Sequence, residues 1–391
     1  MGFFSSWSAW RRYKRLPWSQ RNIVFYSESG QDWHHFESVI QQLGNDLGRP
    51  VSYITSDPLD PGLSCKWPNF TALCIEEGWF RTLFFQVCQA DVVVLTMMDL
   101  NNLDLKRSLY PVHYIYLFHG LGSTHMVDHE NSFDHYDSIF CVGPHQLEQI
   151  RAREAIKALP AKHLFEHGYH RLEQLIEQAQ QKNQWYREEL PATVLIAPTW
   201  GDDSIFNRVG GELIDVLLAA GFKVIMRPHY HTRRLSPEVI DPLVNRHAQN
   251  PAFEFIDQMG EIDSLFRSHL LISDWSAMAI EYALALEKPV LFIDLPRRIR
   301  NPNWRELGIE PIEAAIRSQV GQILDPAKLD QAPDRIHELL AGSEQFRPAI
   351  QALRATKVYN LGSSTGVAAG EIARLADRQA NARLNGPEHA S

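Results

Sequence analysis

The sequence predicts an α/β protein of two Rossmann-like domains, each a parallel sheet with helices on both faces. Three observations carry this. Short apolar, β-favouring segments alternate with stretches whose apolar residues recur at helical spacing. The alternation breaks after about residue 170 in a polar connector and restarts near residue 191. At 391 residues the chain exceeds what one core usually holds, and a 45% hydrophobic content supplies material for two.

In order, residues 1–21 form a basic aromatic leader. Phe3, Phe4, Trp7 and Trp10 fall near one face and Arg11, Arg12, Lys14 and Arg15 follow, with no acidic residue before Glu28. That composition fits a helix at a membrane surface, through residues 3–15, as well as a helix packing its aromatics on the first domain. The first domain is expected over 22–170, with strands at 22–26, 51–55, 91–96, 114–118, 138–142 and 163–165 and helices such as 33–43, 76–89 and 146–158 between them. Residues 171–190, rich in Gln, Glu, Lys and Arg, read as a helical connector. The second domain is expected over 191–380, with strands at 193–197, 223–226, 253–256, 270–272 and 289–293, and helices from Ile312 onward. Residues 381–391 are small and polar and read as a disordered tail.

A net charge of -9 argues against nucleic-acid binding. No apolar run approaches the roughly 20 residues that span a bilayer, and the leader places its charges after its aromatics, the reverse of a secretory signal. The four cysteines form no C-x-x-C pair, as in buried thiols of a reducing compartment, which predicts a cytoplasmic protein.

Ligands of parallel sheets bind outside the carboxyl ends of the strands, so two such domains predict a cleft between them and direct attention to residues just after each strand. After Tyr114–Phe118 comes His119-Gly120-Leu-Gly122; the glycines let the backbone turn tightly, and His119 suits proton transfer near neutrality. His125 and His129 share an i, i+4 spacing but lack a defined third ligand, so no metal is expected. In the second domain Ala197-Pro198-Thr199-Trp200-Gly201 follows the first strand. Arg227-Pro-His229-Tyr-His231-Thr-Arg233-Arg234 follows the second, a cationic cluster inside an acidic protein. Leu270–Ile272 runs into Ser273-Asp274-Trp-Ser276 and then a helix, whose start offers free N–H groups and hydroxyls. Three anion-friendly loops on one rim predict a phosphate site.

These residues resemble a family. His119-Gly120, Gly168-Tyr169, Ala197-Pro-Thr-Trp200, Arg227-x-His229, Ile272-Ser-Asp-Trp-Ser276, Glu281-Tyr282 and Lys288-Pro-Val-Leu-Phe292 are similar, in order and spacing, to the CDP-glycerol glycerophosphotransferases, the teichoic-acid-type polymerases and primases of GT-B fold. The similarity covers residues 110–305. It implies a CDP-alditol donor, a glycan or lipid-linked acceptor and no cofactor. His119 would be the general base on the acceptor hydroxyl. Thr199, Arg227, His229, Ser273, Asp274 and Ser276 would hold the donor phosphates, with Pro198 and Glu281 at the nucleotide and Gly120, His231, Arg233 and Arg234 as auxiliaries. The pattern departs where similar proteins carry His-Gly-Thr with a downstream Lys, Arg where this chain has Gly201, Pro where it has Tyr230, and a Ser pair where it has Ser276-Ala277. Arg233, Arg234 or the Arg297-Arg298-x-Arg300 run would replace the missing charges. The alternatives are a glycosyltransferase or nucleotide-sugar epimerase using a UDP- or CMP-sugar on the same twin-domain frame, and a chain that binds nucleotide without turnover.

Overall fold

The computed structural model describes residues 3–98, 100–102, 105–181, 191–258 and 260–385. The chain divides into two compact units, residues 1–119, 128–171 and 358–391 forming one and residues 120–127 and 172–357 the other. Unit one holds a seven-stranded parallel sheet of β1 (Ile23–Ser27), β2 (Val51–Thr55), β3 (Phe70–Cys74), β4 (Val92–Leu95), β5 (His113–Leu117), β6 (Ser138–Cys141) and β7 (His163–Glu166), in the order β3-β2-β1-β4-β5-β6-β7. Unit two holds a six-stranded parallel sheet of β8 (Thr193–Ile196), β9 (Lys223–Met226), β10 (Phe253–Phe255), β11 (Leu270–Ser273), β12 (Val290–Ile293) and β13 (Gly321–Leu324), in the order β10-β9-β8-β11-β12-β13.

The central strands are buried along their whole length, which is why they read as unbroken apolar runs: Val-Val-Val-Leu in β4, Leu-Leu-Ile-Ser in β11 and Val-Leu-Phe-Ile in β12. The two strands absent from the sequence reading, β3 and β13, lie at sheet edges and are only partly covered. Without a partner on one side, Gly-Gln-Ile-Leu needs no continuous apolar pattern.

The domain boundaries differ from the sequence expectation in two places. The segment after Lys357, placed with the second domain by its position in the chain, groups with unit one. Its helix Ser364–Leu384 buries Ala368, Ala369, Ile372, Leu375 and Ala376 against the core of Phe25, Phe36 and Val94. The small side chains let the helix sit close, and His163 Nε2 meets Glu371 Oε1 at 2.7 Å. An amphipathic pattern shows that a helix has a sheet to cover; it does not say which sheet. Residues 120–127, expected within the first domain, belong to unit two.

The connector contains the helix His170–Gln181, and residues 182–190 of that expectation lie outside the described residues. The expected tail begins inside a helix that runs to Leu384; residues 386–391 lie outside the described residues. The leader forms the helices Phe3–Arg15 and Trp18–Arg21. Trp10 and Tyr13 are buried against Phe84 at ring separations of 6.1 and 5.3 Å, and the Tyr13 hydroxyl donates to Gln89 O at 3.0 Å. Trp7 and the four basic residues stay exposed. Among the described residues no helix is long and apolar enough to cross a membrane.

Gly168-Tyr169, which follows β7, supports the end of β5. The Tyr169 hydroxyl donates to the carbonyl of His119 at 2.9 Å. Gly168 adopts a φ of 103°, and a Cβ there would stand 2.5 Å from the carbonyl oxygen of Tyr359 and 2.8 Å from Cβ of Ser364. Left-handed strain and a backbone collision therefore add. Gly168→Ala is expected to destabilise the protein by about 3 kcal/mol, read from the midpoint of denaturant unfolding. An unchanged midpoint would mean that this turn yields.

Candidate active site

In both sheets the strand order reverses beside the first strand of the sheet, at β1/β4 and at β8/β11, the usual place for a ligand. Above the carboxyl ends of the unit-two strands lies a cavity of about 610 Å³. Pro198 and Thr199 reach it from the end of β8; Arg227, His229, Arg233 and Arg234 from β9; Asp257 and Gln258 from β10; Trp275, Ser276 and Ala277 from β11; and Arg298 from the segment after β12. Seven residues assigned from the sequence therefore converge: Pro198, Thr199, Arg227, His229, Arg233, Arg234 and Ser276.

Ser273, Asp274 and Glu281, also assigned from the sequence, are not among the residues that line this cavity. Ser273 is the last residue of β11 and fully buried; its Oγ donates to Ala197 O at 2.8 Å. Asp274 is also buried. Its Oδ1 accepts the backbone N–H groups of Thr199 and Trp275, each at 2.7 Å, and its Oδ2 that of Ile205 at 3.1 Å. With both oxygens so engaged, Asp274 has the role of a brace between loops. Burial pushes its carboxyl up, and these three N–H groups pull it back. Glu281 is buried within the helix Ala277–Leu286, away from the rim.

Ser276 caps that helix, its Oγ accepting Met278 N–H at 3.3 Å. The cap fixes where the remaining N–H groups of the first turn point, toward an anion at the rim. His229 caps the next helix start in the same way: its Nδ1 accepts His231 N–H at 3.1 Å. A neutral imidazole that accepts at Nδ1 carries its proton on Nε2, so His229 presents an N–H donor. Burial first, then the charges of His231 and Arg298, push its pKa down to about 4. His231 lies outside the cavity lining and packs on Trp200 at 4.7 Å between ring centres. The Arg298 guanidinium lies 3.9 Å from the ring centre of Trp200 and brings a positive charge to the cavity. Arg233 is paired with Asp257 at 3.1 Å and Asp241 at 2.6 Å, which leaves less of its charge for a ligand.

His119 lies two residues beyond the end of β5 in unit one, half-buried. Its ring centre lies 4.9 Å from that of His35, which in turn lies 3.7 Å from His34. Asp32 belongs to the same group. Burial raises its carboxyl pKa and the charge of His119 lowers it again, while Ser27 Oγ donates to its Oδ2 at 3.3 Å. Burial drives His34 down to about 4 and His35 well below the ordinary histidine range. Asp32, His34 and His35 were not singled out in the sequence, although they follow β1 at the β1/β4 reversal and that position was the available signal. Gly120 opens the unit-two segment 120–127 and does not line the cavity. In that segment His125 Nε2 pairs with Ile309 O at 3.0 Å. Among the described residues no group of three or more His, Cys, Asp or Glu could hold a metal.

Asp274→Asn tests the brace. Its amide nitrogen cannot accept a backbone N–H, so at least one N–H loses its acceptor and stability should fall by about 2–3 kcal/mol in thermal or urea unfolding without ligand. A residue whose role is to bind phosphate would leave ligand-free stability unchanged.

Residues 112–295 match the family described as CDP-Glycerol:Poly(glycerophosphate) glycerophosphotransferase. No curated protein sequence matches the chain significantly. Among solved structures, the chain is similar to the Wall Teichoic Acid Polymerase TagF with a TM-score of 0.62 at 13% identity, covering 97% of this chain and 100% of that one. It is similar to UDP-GlcNAc 2-epimerase from Neisseria meningitidis with a TM-score of 0.58 at 12% identity, covering 90% and 100%. A glycosyltransferase from Rickettsia africae follows with a TM-score of 0.54 at 10% identity, covering 92% and 99%. At these identities the structural likeness speaks to the fold, and the matched segment to the family. The chain thus shares its GT-B fold with these structures, and its segment 112–295 resembles the CDP-glycerol:poly(glycerophosphate) glycerophosphotransferase family.

Proposed function

We propose that this protein transfers a glycerol-phosphate, or related alditol-phosphate, unit from a CDP-activated donor to a hydroxyl of a cell-envelope glycan or lipid-linked acceptor, releasing CMP. The observation that carries this reading is the convergence on one cavity of Thr199, Arg227, His229 and Ser276, all within the family-matched segment, with Arg298 just beyond it. His119 takes the proton of the acceptor hydroxyl, and the oxygen attacks the β-phosphorus. A new phosphorus–oxygen bond forms as the bond to the bridging oxygen breaks, and CMP leaves with that oxygen. The guanidinium groups of Arg227 and Arg298 offset the charge on the phosphoryl oxygens, while the neutral His229 donates through Nε2. Phosphoryl transfer depends mainly on positioning and charge stabilisation, which fits a site without a covalent nucleophile.

Incubation with CDP-glycerol and a membrane fraction should release CMP. His119→Ala and His229→Ala should each slow release about 100-fold or more. Release untouched by both changes would remove the mechanism, and stabilisation by UDP-sugars in preference to every cytidine nucleotide would replace it with the sugar-transfer alternative.

We also propose that the helix Phe3–Arg15 carries the enzyme to the inner face of an anionic membrane. Trp10 and Tyr13 are taken up in packing, so attraction falls to exposed Trp7 and to Arg11, Arg12, Lys14 and Arg15. Replacing those four basic residues by Ser should lower co-sedimentation with phosphatidylglycerol vesicles about tenfold or more at low salt. Equal binding would leave the helix a packing element alone.

A further inference from the structure

The cavity also holds a carboxyl group that phosphate binding does not use. Glu313, in the short helix Ile312–Ala315, is 5% exposed and lines the cavity. Its Oε1 accepts the backbone N–H of Ser123 at 2.8 Å; the Ser123 hydroxyl also acts on the carboxyl, and Oε2 has no partner at hydrogen-bond geometry. A buried carboxyl oxygen without a partner is costly, and in a ligand cavity the partner can come with the ligand.

The sheet order gives Glu313 its place along the rim. Residues 256–258 follow β10 at one edge; the loops after β9, β8, β11 and β12 come next; and Glu313 precedes β13 at the other side. Strands lie about 4.8 Å apart, so the rim from β10 to β12 runs about 19 Å, room for an extended nucleoside diphosphate with a small substituent. With the phosphates at Arg227, His229 and Ser276, one end of the donor faces the β10 edge and the other faces Gly122, Ala277 and Glu313. Gly122 lies three residues after His119 in the chain, which marks this second end as that of the transferred group.

One of the departures from the family pattern, Ala277, lies at this point beside Gly122. A Cβ on Gly122 would stand 2.9 Å from Glu313 Oε1 and 3.9 Å from Cβ of Ala277. Where the pattern has the second hydroxyl of a Ser pair, this chain has Ala277, with Gly122 beside the carboxyl. Burial disfavours the charge of Glu313, and the Arg297 guanidinium together with Arg298 in the cavity lining offsets it, so an ammonium group gains less from the carboxyl and is repelled by these cations, a repulsion that a neutral hydroxyl is spared.

We infer that Glu313 is the residue that selects the transferred group, its Oε2 accepting a hydroxyl of the alditol, so that the site takes polyhydroxylated CDP-linked donors over amino-alcohol ones. This rests on the CDP-dependent transfer proposed above. Titration calorimetry with CDP, CDP-glycerol, CDP-ribitol and CDP-ethanolamine tests it on the full-length protein. The wild type should hold one or both CDP-alditols about tenfold or more tighter than CDP, with CDP-ethanolamine no tighter than CDP. Glu313→Ala, and Glu313→Asp, which withdraws the carboxyl by one methylene, should bind CDP as the wild type does and lose most of the alditol advantage. An advantage retained in both variants overturns the assignment, as does loss of CDP binding itself in both, which would make Glu313 a buttress. A wild type that gains as much from the ethanolamine group as from the alditols, or nothing from either, also overturns it. A wild type that binds no cytidine compound at all fails earlier, at the proposed function, and takes this inference with it.

Discussion

Asp274 stands where the strand order of the second sheet reverses, its carboxyl withdrawn from water and both oxygens taken by backbone N–H groups. Thr199 belongs to the loop after β8, Ile205 opens the helix Ile205–Arg208, and Trp275 belongs to the turn into the helix Ala277–Leu286. One side chain therefore fixes the mutual position of three segments, two of which contribute Thr199, Trp275 and Ser276 to the cavity. A charge in such a place needs compensation, and the three N–H dipoles supply it locally. Arg317 adds to it: buried, stacked on Trp275 at 4.2 Å and paired with Asp294 at 2.8 Å, it feels the Asp274 charge as well.

The polar groups around the cavity divide into permanent charges and neutral donors. Arg227, Arg234 and Arg298 are guanidinium groups, charged at any pH the protein meets. His229 is held neutral by burial and by the neighbouring His231 and Arg298. An imidazole among arginines is spared their repulsion only as long as it carries no proton on Nδ1, and the His231 N–H on that atom selects this tautomer. The positive field of the site thus comes from arginine and does not vary with pH near neutrality, while histidine supplies direction.

Much of this was legible in the sequence because the fold expresses itself in short-range patterns. Strands covered on both faces must be apolar throughout, and their ends are the rim, so the loops bearing Thr199, Arg227, His229 and Ser276 could be found from spacing alone. What escaped depends on facing and on distance along the chain. Ser273 and Asp274 stand three and two residues before Ser276, yet of the three only Ser276 reaches the cavity, since a strand's last residue and the turn after it are held by the sheet. Asp32, His34 and His35 gather at His119 from more than 80 positions away in the chain. The helix Ser364–Leu384 returns to the first sheet across the whole of the second unit. Edge strands β3 and β13 carry no continuous apolar signal because one side of each has no strand to pair with.

The extent of the family match has a physical meaning. It begins in the approach to β5 and ends after β12, spanning residues 112–295. That span holds His119 and the rim loops bearing Thr199, Arg227, His229 and Ser276, which meet the phosphates in the proposed mechanism together with Arg298 from beyond the span. It leaves out Arg298 and Glu313, which line the cavity toward its β12 and β13 side. Phosphate chemistry is common to any donor of this class and constrains the residues that face it, whereas the transferred group is what can differ between donors. Residues that meet only that group are under no obligation to follow a shared pattern, and such residues must come from the chain beyond the match. Glu313, proposed above as such a residue, lies in the segments between β12 and β13, which also hold the loop after His119: Asn301 Nδ2 donates to His125 O at 3.0 Å, and Ser123 N–H donates to Glu313. A residue that selects the donor from this place is thereby tied to the loop that continues directly from the proposed base.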